Sequence, residues 1–363
     1  MKLLFDEIRH NRLLWLLVFV PILFVAVAAK PEAHGLLFIL SILAIVPLAA
    51  LLSHATESVA AKTGDMVGGL LNATLGNLTE MVIALTALYA GQYVLVKASI
   101  AGVIVTNALF MLGASFLLGG LKHHVQDYNR NNARLQGGLL FLATIALLIP
   151  SLLNELPADD DGSFIQTLSL GLAFLLIGSY ALGMIFTLKT HREFFGSSSH
   201  AEEGDAVWPM RLALVTLAAV TVLVALVSHV FVESVQHAAE LFGMTPAFVG
   251  FIVVALVGGA AEMTAAFSAA RKNRLDLSVG IALGSASQIA LFVAPMLVLV
   301  SYFVGPSPMD LEFWPAAIAM ILVATMTAVL VTSSGRSAWF IGVLLINVYL
   351  VFAVTLYLLP SSQ

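Results

Sequence analysis

Glu80 and Glu262 are acids set in otherwise apolar runs, the first in "GNLTEM" and the second in "GGAAEM". Each is followed 22 residues later by a glycine in a small-residue stretch, Gly102 and Gly284. A carboxylate in hydrocarbon is costly unless it faces a protein cavity, so two of them at matched spacing point to a site. Their neighbours in sequence are Gly76 and Asn77 before Glu80, and Gly258 and Gly259 before Glu262. The downstream stretches add Asn107 in one half and Ser285 and Gln288 in the other. Carboxylates, amides, hydroxyls and freed backbone carbonyls form an all-oxygen set without imidazole or thiolate. That set suits a hard divalent cation such as Ca2+. One divalent cation neutralises both acids, and so do two protons, whereas the empty pair carries a buried double charge. This difference is a physical basis for exchanging a cation against protons.

These residues must be positioned by membrane-spanning helices. Of the 363 residues, 60% are hydrophobic and 10% charged, far from the roughly 25% charge of a soluble domain. There is no cysteine, which removes disulfides, thiolate catalysis and thiolate metal ligation. Runs of about 20 apolar residues predict spanning helices rather than barrel strands. Eleven are expected, at 13–29, 35–52, 66–90, 97–120, 135–153, 164–188, 210–232, 246–270, 277–303, 313–332 and 337–359. The expected fold is therefore an all-α integral membrane protein.

With a cytoplasmic N terminus, fourteen of the sixteen Lys and Arg residues fall inside and only Lys30 and Lys97 outside. The positive-inside rule thus places the C terminus outside, and the run Asp159, Asp160, Asp161 in an outer loop. A cleaved leader ending in "AVAAK" competes for the first span. The long, acid-containing segment "MKLLFDEIRHNR" favours a retained helix.

Self-comparison divides the chain. "LLSHATES" in the first half pairs with "LVSHVFVES" in the second, and "ASIAGVIVTNALFMLG" with "VGIALGSASQIALFVAP". Five spans per unit force the second copy to lie upside down relative to the first. The expected organisation is an N-terminal segment and first helix (1–34), a five-helix repeat (35–188), a cytoplasmic linker (189–209) and a second five-helix repeat (210–363). Glu80 and Glu262 fall about half way along their spans, so inversion brings both to one midplane site.

The motif "GNLTE", together with "AARKNRLDLSVGIALGSASQIALFV" after the second glutamate, resembles the calcium/cation antiporter superfamily, in particular its calcium/proton exchanger (CAX) branch. The resemblance covers essentially the whole chain after the first span. It implies Ca2+/H+ antiport by alternating access, with Glu80 and Glu262 carrying cation and proton in turn, Asn77 as a neighbouring ligand, Ca2+ as transported substrate and no cofactor. Two positions depart from the family pattern Gly-Asn-x-x-Glu-His: Gly259 stands in place of the amide and Met263 in place of the histidine. Met263 is expected to pack against a neighbouring helix.

Other readings stay open at this stage. The glycines also serve helix packing, and Asn107 and Gln288 also suit bridges between helices. Glu57 and Glu233 are candidates for cation recruitment at the two mouths, or solvated helix-end residues. Acids and His200 in the segment 191–205 suit regulatory cation binding, or a flexible connection. His123 and His124 read as surface residues. A Na+- or K+-coupled exchanger shares the architecture, and a cation channel or a membrane metalloenzyme is the alternative from another class. No phosphate-cradling loop or nucleic-acid patch is present in the sequence. The expected partners are Ca2+, H+ and the bilayer of a bacterial or archaeal-type inner membrane, with a homo-oligomer left open.

Overall fold

The apolar runs are helices in the computed structural model, which describes residues 4, 7–9, 11–63, 65–153, 163–191 and 208–359. The chain is an integral membrane protein of almost purely helical architecture. The helices are α1 (Arg12–Ala29), α2 (His34–Ala60), α3 (Asp65–Leu75), α4 (Leu78–Tyr89), α5 (Tyr93–His123), α6 (Arg130–Leu153) and α7 (Phe164–Thr190). The second half contributes α8 (Met210–Leu241), α9 (Pro246–Gly258), α10 (Ala260–Arg271), α11 (Leu275–Val304), α12 (Pro315–Thr332) and α13 (Trp339–Leu358). Asp159 to Asp161 and the acids of the 191–205 segment lie outside the described residues.

Among the described residues, nine helices are long and apolar enough to cross a membrane, or ten when α9 and α10 are taken as one span bent by 57°. The eleventh expected span, 66–90, is not among these. That span is two shorter helices, α3 and α4, separated at Gly76 and Asn77. The physical reason lies in those two residues, since glycine is among the weakest helix formers and asparagine competes for backbone hydrogen bonds. The second half repeats the device, with Gly259 separating α9 from α10.

The expected ends of two other spans were too early. α2 runs on to Ala60 and α8 to Leu241, because a helix that leaves the hydrocarbon continues on polar residues such as Ser53, Ser58, Gln236 and Glu240.

The long helices α2 and α8 pack against each other, with Phe38 and Phe231 stacked at 5.3 Å between ring centroids. α5 and α11 are almost wholly buried at mid-length and carry one π-helical turn each, at Thr106–Met111 and Ile289–Val293. A π turn adds a residue to the turn and redirects the side chains around it, and such turns cluster at functional sites. A two-stranded antiparallel ribbon, β1 (Val125–Asp127) and β2 (Arg336–Ala338), ties the α5–α6 loop to the α12–α13 loop. On the opposite side, Lys97 is ion-paired to Asp310 at 2.6 Å, and the Tyr93 hydroxyl donates to the Ser307 carbonyl at 2.6 Å.

Candidate cation site

Glu80 and Glu262 each occupy the first turn of the second half of a broken helix, α4 and α10 respectively. The breaks have two consequences. They interrupt the backbone ladder, so carbonyls at the ends of α3 and α9 lose intrahelical partners. They also set each carboxyl in the first turn of a helix, close to its N-terminus.

The two acids are brought into one region. Glu80 is 6% exposed, and its Cγ and Oε1 lie 3.1 and 3.4 Å from the position a Cβ on Gly258 would take. Gly258 is thus the floor on which the Glu80 carboxyl rests, and it immediately precedes the break leading to Glu262, which is half-buried.

Around them runs a connected set of amides and a hydroxyl. Asn77 Nδ2 donates to Gln288 Oε1 at 2.6 Å, Ser285 Oγ donates to Asn77 Oδ1 at 2.9 Å, and Asn107 Nδ2 donates to Ser285 Oγ at 2.9 Å. Asn77 comes from the first break, Asn107 from the π turn of α5, and Ser285 and Gln288 from the residues just before the π turn of α11. Two oxygens are left over in this cluster: Glu262 Oε2 and Asn107 Oδ1 are buried and accept no hydrogen bond. Buried acceptors without donors cost free energy until a proton, a water or a cation satisfies them.

The residues expected from sequence are therefore brought together in part by direct contact and in part by the breaks. Glu80, Glu262, Asn77, Asn107, Ser285, Gln288, Gly258 and Gly259 share one region, and Gly76 forms the first break. Gly259 has Asn107 Oδ1 3.8 Å from its would-be Cβ, so an amide oxygen from α5 stands beside the position where the family pattern has an amide of its own. Met263 is buried, with its methyl 3.3 Å from the same position, as a packing residue would be. Glu57 and Glu233 stay outside this cluster. Both are exposed, Glu57 accepting from Ser53 Oγ at 3.1 Å and Glu233 lying 3.3 Å from His229 Nε2.

Two polar residues were not anticipated. Gln136 Oε1 accepts from Ser287 Oγ at 3.0 Å, and Asn132 Nδ2 lies 3.7 Å from the would-be Cβ of Gly280. Both sit on α6, in the stretch "RNNARLQ" that reads as a basic helix end; the signal available was their i, i+4 spacing on one helix face.

Packing around the cluster differs between the two halves. Gly102 and Gly250 clamp α5 onto α9: a Cβ on Gly102 would overlap the backbone of Phe251, and one on Gly250 would lie 2.6 Å from Ala98 Cβ. The counterpart Gly284 on α11 faces open space. α3 packs instead on α2 and on the end of α7, where Leu188 covers Gly69.

The sequence profile described as sodium/calcium exchanger protein matches residues 34–189 and 212–358. The chain belongs to the sodium/calcium exchanger family. Within this family it is similar to the Ca(2+)/H(+) antiporter of Aphanothece halophytica, at 38% identity over 338 residues, 89% of this chain and 90% of that protein. It is likewise similar to the Ca(2+)/H(+) antiporter ChaA of Bacillus subtilis (strain 168), at 37% identity over 329 residues, 90% of this chain and 93% of that protein. Among solved structures, native YfkE superposes with a TM-score of 0.83 at 33% identity, covering 96% of this chain and 100% of that one. An H+/Ca2+ exchanger CAX structure shares the exchanger fold at a TM-score of 0.73 and 16% identity, covering 97% of this chain and 88% of that one. The resemblance to the calcium/proton exchanger branch, carried by "GNLTE" and the second-half motif, thus extends over nearly the whole chain.

Proposed function

We propose that this exchanger moves Ca2+ against H+ by alternating access, with Glu80 and Glu262 as the shared site. The observation that carries the reading is the buried Glu80 carboxyl resting on Gly258, beside the helix break that leads to Glu262, with Glu262 Oε2 and Asn107 Oδ1 left without donors. Ca2+ takes six to eight oxygens and tolerates irregular geometry. Here two carboxylates, the amide oxygens of Asn77, Asn107 and Gln288, the Ser285 hydroxyl and carbonyls at the helix breaks are the candidate ligands. Two protons on the glutamates discharge the site as one Ca2+ does. The empty, doubly charged form is the one that resists passage between states, because a desolvated unpaired charge is expensive.

The repeat division at 35–188 and 210–363 is supported by the paired helix breaks and paired π turns, and by the split of the family match at 189 and 212. With the N terminus cytoplasmic, as the Lys and Arg distribution favours, the clamped side at Gly102 and Gly250 is the outer one and the side of Gly284 is cytoplasmic. Glu57 and Glu233, exposed near opposite ends, fit at most a recruiting role through their charge.

The test is Ca2+ uptake into proteoliposomes under an imposed proton gradient, with sodium and potassium gradients as controls and Glu80→Gln and Glu262→Gln in parallel. Proton-driven uptake lost in both variants supports the reading. Uptake that follows sodium or potassium, or that survives either substitution, overturns it.

A further inference from the structure

A second polar cavity lies away from the carboxyl cluster, and its charge has the opposite sign. It has a volume of about 370 Å3 and is lined by Lys122, Thr264, Phe267, Ser268, Arg271 and Lys272. Its size falls in the range of roughly 300–1,000 Å3 typical of small-molecule sites. Thr264, Phe267, Ser268 and Arg271 follow i, i+3, i+4, i+7 spacing, so one face of α10 forms the wall, and Lys122 closes it from the last turn of α5.

The lining holds three cationic side chains and no carboxylate. Helix dipoles explain a basic residue at each of two C-termini, but they do not gather three around one cavity. Lys122 Nζ donates to the Arg271 carbonyl at 3.0 Å, which spends one of its three donors and fixes the ammonium at the rim. A route for Ca2+ would not be lined this way, since the three charges repel it. The matching ligand is a phosphate, for which guanidinium and ammonium groups are the usual partners.

The cavity also has an apolar wall. Phe267 packs edge-on against Phe110, at 6.4 Å between centroids, and Phe110 packs against Tyr349 of α13 at 5.2 Å. A basic rim joined to an aromatic wall at a membrane helix end is the arrangement that takes a headgroup and the start of its acyl chains. We propose that this cavity binds the phosphate of an anionic phospholipid. Given the orientation argued above, the lipid belongs to the cytoplasmic leaflet. The bound headgroup bridges α5, which carries Asn107, to α10, whose first turn holds Glu262, and so joins two helices that build the proposed cation site.

The test uses the whole purified chain in nanodiscs of phosphatidylcholine with or without phosphatidylglycerol, and counts by native mass spectrometry the lipid retained after release into detergent. Wild type is expected to keep phosphatidylglycerol in preference to phosphatidylcholine. The triple variant Lys122→Gln, Arg271→Gln, Lys272→Gln, and Arg271→Gln alone, are expected to lose about tenfold or more in that retention. Millimolar inorganic phosphate as competitor separates the sources: no displacement supports the lipid, while displacement together with equal retention of both lipids reassigns the cavity to free phosphate and overturns the lipid proposal. Equal retention by wild type and variants overturns the site. Stabilisation by Ca2+, measured on the same samples, reports the fold and the cation site independently. A failed lipid test with Ca2+ stabilisation intact therefore leaves the exchange reading untouched.

Discussion

The Glu80 carboxyl rests on Gly258, with Cγ 3.1 Å and Oε1 3.4 Å from where a Cβ on that glycine would stand. Contact at this distance leaves no room for a methyl group unless the glutamate gives way. A residue of the second half therefore fixes the position of the acid contributed by the first.

Gly258→Ala is accordingly expected to displace the Glu80 side chain by a few tenths of an ångström while the helices stay in place, since the atoms met belong to a flexible side chain. Apparent Ca2+ affinity in uptake assays should fall about tenfold, a change of about 1.4 kcal/mol, with a thermal midpoint close to wild type. A collapse of the midpoint would mean that Gly258 serves helix packing instead.

Ca2+ should stabilise the purified protein against heat. Binding to the folded state alone contributes about 2.7 kcal/mol at a ligand concentration a hundred times Kd. Glu80→Gln and Glu262→Gln should abolish this shift while leaving the metal-free midpoint unchanged or raised, because each removes a charge from a buried pair. A variant that still responds to Ca2+ would place the cation elsewhere.

The paired glycines should separate stability from turnover. Gly102→Ala forces a methyl into the Phe251 backbone and should cost about 1–3 kcal/mol by overpacking. Gly284→Ala meets open space and should leave the midpoint unchanged. If the two sides take turns in closing, the same methyl obstructs the closure of α3 onto α11, and transport by Gly284→Ala should drop severalfold. Wild-type transport in this variant would argue against symmetric closure.

The Lys97–Asp310 ion pair and the Tyr93–Ser307 hydrogen bond hold the clamped side together. Asp310→Asn removes one of these ties, and a loss of about 1 kcal/mol shifts the balance toward opening there by about fivefold. The chain has no cysteine, so Ser99→Cys on α5 supplies a single reporter under the α9 contact. Its labelling by an impermeant thiol reagent from the outer side should speed up in the Asp310→Asn background. An unchanged rate would show that the pair is no latch.

Asn77→Ala should disconnect the amide network, leaving Gln288 Oε1 without its donor and the Ser285 hydroxyl without its acceptor. Destabilisation of about 1–3 kcal/mol is expected in the thermal midpoint. Ca2+ uptake should suffer beyond that, and Asn77→Asp should restore less uptake than wild type, since a third carboxylate has no neutralising partner in the two-proton state.

The sequence by itself determined the solvent, the approximate spans, and Glu80 and Glu262 as the central acids. These are local properties: apolar runs of spanning length record the bilayer, and a charge inside such a run is costly wherever it sits. The glycine that follows each acid was legible as a 22-residue spacing repeated in both halves. Tertiary structure decided what depends on neighbours. That Asn77 meets Gln288, and Asn107 meets Ser285, follows from how α4, α5 and α11 pack, with contacts between residues far apart in the chain. The π turns that aim Asn107 and Gln288 carry no composition signal, because they are decided by packing rather than by propensity. Gln136 and Asn132 were hidden in a stretch that looks like an ordinary helix end, and Glu57 and Glu233 matched each other in the repeat yet stand exposed and apart from the cluster. The unequal packing of the two halves was also beyond the sequence. Gly102 and Gly284 hold matching places in the repeat, and only the packed structure sets Gly102 against the Phe251 backbone while Gly284 has no such neighbour.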